Sequence, residues 1–138
     1  MSSSHRPDGS DLKGVRVLVV EDTWHVAKVL KAWLERLEML VIGPSATTAE
    51  ARRLIAANNP QLALVDMNLN GEMACDLIDE LHAQGTPVIV VTGYTVPAVA
   101  KEKVVACLQK PLNGDQLITA MRAAVDPKKY AQKIAIFP

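Results

Sequence analysis

The sequence is poor in aromatic residues and in cysteine. Phe, Trp and Tyr make up 4% of its 138 residues, and the two cysteines, Cys75 and Cys107, form no CxxC motif and no cluster with histidine. A disulfide framework or a zinc site is therefore not expected. Reduced thiols in a cytoplasmic protein are the interpretation that we adopt.

An excess of charge of either sign is also missing, because 15 Lys and Arg balance 15 Asp and Glu. Nucleic-acid binders usually carry a clear excess of basic residues, so we expect no nucleic-acid partner. No apolar stretch approaches the length of a membrane span, and the Ser-rich N-terminus lacks the apolar core of a signal peptide. These absences predict a cytoplasmic protein without a membrane partner, for which proteins and small anions are the expected ligands.

Short apolar runs alternate with amphipathic segments along the chain. Runs that are apolar throughout suit strands of a parallel sheet, whose two faces are both buried. Strands are predicted at residues 15–20, 40–42, 62–65, 87–91 and 104–108, the second closed by Gly43-Pro44. Helices are predicted at residues 24–38, 47–58, 73–84 and 114–125 from apolar steps of three and four residues and from capping residues. This order predicts an α/β fold, a (βα)₅ doubly wound parallel sheet with right-handed crossovers.

The ends of the chain differ from its middle in composition. Residues 1–13, rich in Ser, Gly, Asp and Pro, are predicted to be a disordered N-terminal tail, and residues 14–125 to be one domain. Residues 126–138 form a C-terminal tail whose apolar residues stand among lysines: Tyr130, Ile134, Ile136 and Phe137. We interpret this tail as a frayed end, with docking on the domain or on a partner as the alternative.

Polar and charged residues follow four of the predicted strands: Glu21 and Asp22, then Asp66, Thr92 and Lys110. Each has an ordinary structural explanation by itself, since an acidic pair often only begins a helix. The carboxyl ends of parallel strands, however, meet at one edge of a doubly wound sheet. Three carboxylates close together need a counter-charge, which Mg²⁺ supplies in many oxygen-ligand sites. We therefore expect a Mg²⁺ site there, with Lys110 and Thr92 available to an incoming oxyanion.

In order and position, Glu21-Asp22, Asp66, Thr92 and Lys110-Pro111 resemble the signature of bacterial response-regulator receiver domains. The resemblance covers about residues 14–125. It implies the flavodoxin-like strand order 2-1-3-4-5 and, in most relatives, a cis peptide bond between the lysine and the proline.

The resemblance also implies a role for each matching residue. Asp66 is the expected phosphoryl acceptor, and Thr92 and Lys110 are expected to contact phosphoryl oxygens. Glu21 and Asp22 are expected to hold Mg²⁺, directly or through water, together with Asp66 and the backbone carbonyl of Asn68. The expected donor is a sensor histidine kinase or a phosphotransfer protein, and water removes the labile acyl phosphate. Such a protein takes part in its own modification but is not an enzyme with a separate product. An unknown downstream protein and a phosphorylation-dependent dimer are further expected partners.

Two features depart from the family pattern. Most receivers carry Tyr or Phe three residues before the lysine, where this sequence has Cys107. Only 17 residues separate Thr92 from Lys110, which leaves about two turns for a shortened fourth helix. The run Val90-Val91-Thr92-Gly93-Tyr94 partly resembles an atypical receiver subset with Phe-Ala-Thr-Gly-x-Tyr. We therefore predict that Thr92 and Tyr94 carry the switch in place of an aromatic residue at position 107.

Several functions compete on the sequence alone. A single-domain regulator or phosphorelay shuttle is favoured, and a receiver module of a larger hybrid kinase or multidomain regulator is the alternative. A haloacid-dehalogenase-type phosphatase would need Asp-x-Asp after the first strand, which Glu21-Asp22-Thr23 does not match. A flavodoxin-like cofactor binder would need a phosphate-binding loop at the same place, and Thr23-Trp24-His25 is a poor one.

Overall fold

Five parallel strands form the centre of the molecule. The computed structural model describes residues 10–69, 71–93 and 103–126. The strands are β1 (Arg16–Val20), β2 (Leu40–Ser45), β3 (Leu62–Asp66), β4 (Val88–Thr92) and β5 (Ala106–Gln109). They lie side by side in the order β2-β1-β3-β4-β5. This confirms the doubly wound α/β fold and the strand order 2-1-3-4-5.

The helices connect these strands and flank the sheet. They are α1 (Trp24–Arg36), α2 (Thr48–Asn58), α3 (Cys75–Ala83) and a C-terminal helix (Gly114–Val125). The predicted caps are confirmed, since Thr47 Oγ1 accepts a hydrogen bond from Glu50 N and Asn113 Oδ1 accepts one from Gln116 N. Residues 94–102, where the shortened fourth helix is predicted, lie outside the described residues. No helix in the described part of the chain is long and apolar enough to cross a membrane.

The helices divide the core into two layers because successive strand residues point to opposite faces. Val17 and Val19 of β1 pack towards α1 and the C-terminal helix, whereas Leu18 and Val20 pack towards α2 and α3. The sheet is therefore covered on both faces, as a parallel sheet requires. This packing leaves the two edges where strands begin and end as the places where polar groups can gather.

Strand β2 is longer than predicted. The expectation that Gly43-Pro44 closes it is wrong, since the strand continues to Ser45, which pairs with Val20 after a register shift. Gly43 has φ +96°, and a Cβ added there would lie 2.8 Å from the Ser45 nitrogen. The glycine therefore makes a bend inside the strand, of the kind that a β-bulge produces.

Two short elements were not predicted. Ser10–Leu12 form one 3₁₀ turn with Leu12 fully buried, although residues 1–13 were expected to be a disordered tail. Asn68–Leu69 and Glu72–Met73 form a small antiparallel hairpin, so α3 begins at Cys75 rather than near residue 73. The hairpin had a recognisable signal in the dipeptide Asn70-Gly71, which is typical of tight two-residue turns.

Candidate phosphoryl-acceptor and metal site

The carboxyl ends of the strands bring the predicted site residues to one edge. Asp66 and Thr92 are the last residues of β3 and β4, while Glu21 and Lys110 directly follow β1 and β5. A cleft of about 450 Å³ opens between these strand ends. It is lined by Asp22, Thr23, Asp66, Asn68, Gly71, Gly93 and Lys110. The apolar strands thus place a polar cleft at the edge where each hydrophobic run ends.

Three carboxylates form the centre of this site. Oxygens of Glu21, Asp22 and Asp66 all lie within 4.8 Å of one another. Glu21 and Asp66 are only 3% and 6% exposed, whereas Asp22 is partly exposed. Carboxylates this close repel one another, and burial strengthens the repulsion because little water screens it. The cluster therefore favours a cation beside it.

Lys110 supplies one positive charge to the cluster. Its Nζ lies 3.2 Å from Oε1 of Glu21 and 3.2 Å from Oδ2 of Asp66. Burial alone would lower the pKa of Lys110, but the charges of the two carboxylates outweigh it and raise the pKa above the usual value. Lys110 pairs with two of the three carboxylates that cluster among the described residues, so the site can still accept a divalent cation.

Glu21 is the most deeply buried of the three acids. Burial is the main cause that raises the pKa of Glu21, and the neighbouring Asp66 charge adds to the rise. The backbone N–H of Thr23 opposes it by donating a hydrogen bond of 3.1 Å to Oε2. Oε1 is buried and makes no hydrogen bond within the described residues, although Lys110 Nζ is near it. A buried carboxylate oxygen without such a bond is a suitable cation ligand.

Asp66 is held at both of its oxygens. The backbone N–H of Asn68 donates to Oδ1 at 3.1 Å, and Lys110 Nζ donates to Oδ2 at 3.2 Å. The Asn68 side chain is engaged in the hairpin, where its Oδ1 accepts a hydrogen bond of 2.8 Å from Gly71 N. The backbone carbonyl is the group that we predict Asn68 to offer a metal ion, and this role stays a prediction.

A backbone hydrogen bond joins Thr92 and Lys110. The carbonyl of Thr92 accepts a hydrogen bond of 2.9 Å from the Lys110 N–H, and the Thr92 residue is 1% exposed. The Lys110-Pro111 peptide bond is cis, as the resemblance implies.

Cys107 lies in the core on the α2 and α3 side rather than in the cleft. Tyr94 lies outside the described residues, so its part in a switch stays a prediction.

Sequence reasoning missed three backbone contributors to the cleft: Thr23, Gly71 and Gly93. Thr23 contributes an N–H group, which no side-chain pattern reveals. The Asn-Gly dipeptide was the sequence signal for the turn at Gly71, because tight hairpin turns favour glycine at a positive φ, here +91°. Gly93 follows β4 directly and stands between Thr92 and Tyr94, the two residues predicted to carry the switch.

Known proteins resemble this chain in sequence and in fold. The family model described as "Response regulator receiver domain" matches residues 17–122. The signal receiver domain of a modulated diguanylate cyclase from Desulfovibrio desulfuricans G20 is 27% identical with a TM-score of 0.74, over 86% of this chain and 99% of that one. A CheY-like receiver domain protein from Methanospirillum hungatei JF-1 is 25% identical with a TM-score of 0.74, over 86% of this chain and 99% of that one.

A longer relative has the same fold. The response regulator PhyR from Brucella abortus is 24% identical with a TM-score of 0.70, over 93% of this chain but 54% of that chain. This chain thus spans about half the length of that protein. A search of curated proteins found no match. Since the family model covers most of the sequence, the chain belongs to the response regulator receiver domain family.

Proposed function

We propose that this receiver domain accepts a phosphoryl group on Asp66 from a phosphohistidine, with Mg²⁺, and passes the signal on through a protein partner. The observation that carries the proposal is the position of Asp66, which ends β3 beside two further carboxylates and Lys110. A separate regulator and a module of a larger protein would use this site in the same way. The size of the native gene product distinguishes the two.

The donor set fits a magnesium ion. Magnesium prefers oxygen ligands and retains several waters, and the open cleft leaves room for them. Glu21, Asp22 and Asp66 would hold the ion with their carboxylates, and Asn68 with its backbone carbonyl. When bound, Mg²⁺ supplies positive charge to the oxygens of the transferring phosphoryl group.

Asp66 would act as the nucleophile. One of its carboxylate oxygens forms a bond to phosphorus while the bond from phosphorus to the histidine nitrogen breaks, and the imidazole leaves with the electron pair of that bond. Lys110 bridges Glu21 and Asp66 before transfer. We infer that its ammonium then turns to a phosphoryl oxygen, because the acyl phosphate brings more negative charge than the free carboxylate. The Thr92 hydroxyl would donate a hydrogen bond to a second oxygen.

The phosphorylated state would be temporary. Water that attacks the phosphorus of the acyl phosphate releases inorganic phosphate and restores the Asp66 carboxylate. The domain would therefore be a signalling switch that promotes its own modification, not an enzyme that releases a separate product. A phosphorylation-dependent dimer stays a prediction.

The direct test is intact mass after incubation with acetyl phosphate and Mg²⁺. The wild-type chain should gain one phosphoryl group, and Asp66→Asn should gain none. Asp126→Asn is the matched control, because Asp126 lies at the opposite edge of the sheet and should leave the gain unchanged. A phosphoryl group that persists on Asp66→Asn would contradict the assignment.

A protein donor would have to pass over the rim of the cleft. Trp24 begins α1 two residues after Asp22, is 65% exposed, and lies under Lys28 Nζ at 4.8 Å from the ring centre. Exposed tryptophans are frequent anchors of protein interfaces. We therefore propose Trp24 as a contact for the phosphohistidine protein. Trp24→Ala should slow transfer from that protein but leave phosphorylation by acetyl phosphate unchanged; an equal loss with both donors would contradict this role.

A further inference from the structure

An apolar groove lies between α1 and the C-terminal helix, separate from the phosphorylation cleft. Its volume is about 260 Å³. It is lined by Trp33, Arg36, Leu37, Gly114, Leu117 and Ile118. Arg36 is the only charged residue among them. Among the residues that the structure describes, none lines both this groove and the cleft around Asp66, so the proposed phosphoryl transfer does not explain the groove.

The size of the groove suits a short apolar segment better than a second folded copy. Six of the described residues line it, whereas each side of a stable protein interface usually contributes about 20–30 residues. A concave surface lined mainly by apolar side chains is suited to binding apolar groups. A few apolar side chains in an extended stretch would be sufficient to fill this one.

The chain itself contains such a stretch. Residues 127–138, which lie outside the described residues, follow the C-terminal helix, and their sequence includes the run Ile134-Ala135-Ile136-Phe137. The rest of this segment is largely polar, with three lysines at positions 128, 129 and 133. An apolar run of this kind is the expected ligand for an apolar groove.

The segment is long enough to reach the groove. Gly114, at the far side of the groove, precedes Val125 by eleven residues, which in a helix is about 17 Å. Ile134 follows Asp126 by eight residues, a span of up to about 26 Å when extended. The run can therefore turn back along the C-terminal helix and lie over the partly buried Ile118 without stretching the chain.

We propose that residues 134–137 of this chain dock in the groove between α1 and the C-terminal helix and cover Trp33. The docking is intramolecular, so the segment is present at a high effective concentration and needs only a modest affinity to remain bound. The expected contacts are apolar, from Ile134, Ile136 and Phe137 to Trp33, Leu37 and Ile118.

Tryptophan fluorescence tests this proposal on the full chain. The sequence has two tryptophans, so Trp24→Phe leaves Trp33 as the only one. In this background, replacement of Ile134, Ile136 and Phe137 by Ser should shift the Trp33 emission to longer wavelength. It should also increase quenching by acrylamide roughly twofold, because one more face of the ring becomes accessible. The matched control replaces Lys128, Lys129 and Lys133 by Ser and should change neither quantity.

A rescue experiment separates docking from an indirect effect on the fold. A synthetic peptide of residues 127–138, added to the variant with three apolar substitutions, should reverse the change at millimolar concentration. Emission that is unchanged in that variant, or changed equally by the lysine control, would overturn the proposal. Quenching that falls as the wild-type protein is concentrated would also overturn it, in favour of a second copy as the occupant.

Discussion

Replacement of Lys110 by Met tests how much the buried ion pairs contribute to the fold. Lys110 is in contact with Glu21 and Asp66, whose side chains are 1% and 7% exposed, while its own side chain is 26% exposed. Removal of one partner of a buried pair leaves uncompensated buried charge and costs roughly 3–5 kcal/mol. Because Lys110 is partly exposed, we expect the lower limit, about 3 kcal/mol, a change of roughly 150-fold in the unfolding equilibrium.

The measurement is urea unfolding followed by circular dichroism at pH 7 with EDTA present. With a slope of about 2 kcal/mol per molar urea, the midpoint should fall by about 1.5 M. Lys103→Met is the control, because Lys103 Nζ lies only 2.7 Å from Asp79 Oδ1, but the two side chains are 34% and 51% exposed. Such a surface pair contributes about 0.2–1 kcal/mol.

The Lys103–Asp79 pair is shorter than the pairs of Lys110, yet its removal should cost less stability. Burial of the charges, rather than the distance between them, should therefore decide how much each ion pair contributes. Added Mg²⁺ should recover part of the loss in Lys110→Met, because a cation in the site then compensates the same carboxylates. A loss for Lys110→Met no larger than that for Lys103→Met would refute this account of the site.

Three further variants test the electrostatics and the backbone of the same edge. Without metal, Asp22→Asn should raise the free energy of unfolding by about 1 kcal/mol, because it reduces the repulsion between carboxylates. In thermal melts the same variant should no longer be stabilised by Mg²⁺. Unchanged stability without metal would show that the repulsion is negligible. The pKa of Glu21 is raised in the folded protein, so the folded state binds a proton at a higher pH than the unfolded state does. As the pH falls through that raised pKa, the metal-free wild type should therefore become more stable relative to Glu21→Gln. The increase should end near pH 4.5, the usual pKa of a glutamate. Parallel pH profiles would contradict this. Gly43→Ala should lower the free energy of unfolding, measured in urea, by about 1–3 kcal/mol, because a side chain is strained at the Gly43 φ of +96°. A urea midpoint equal to that of the wild type would mean that β2 adjusts its backbone without losing stability.

The sequence predicted which charged side chains meet at one edge of the sheet because each of them stands where an apolar run ends. Strands buried on both faces need apolar residues throughout, so the first charged residue marks the edge of the sheet. Asp66 and Thr92 could be assigned in this way to the ends of β3 and β4. The ion pairs of Lys110 could not, since they depend on how far β5 extends beside β4.

Errors arose where backbone conformation outweighs side-chain pattern. Gly43-Pro44 has the composition of a strand end, yet hydrogen bonding to β1 carries β2 through it to Ser45. Leu12 is a single apolar residue in a polar stretch, and only the position of the C-terminal helix makes it part of the core. Such features depend on tertiary contacts, which a periodic pattern in one segment does not contain.

The ion pair between Asp11 and Arg122, 3.1 Å long, has a practical consequence. It joins the first turn to the C-terminal helix, and Asp11 and Asp126 line the same cleft at the edge where the strands begin. The two ends of the described domain therefore lie close together, opposite the cleft around Asp66. A biosensor surface, a fluorescent label or a fused domain attached before Asp11 would begin on the side of the sheet away from Asp66, so attachment there would leave the cleft around Asp66 open to a partner in binding measurements.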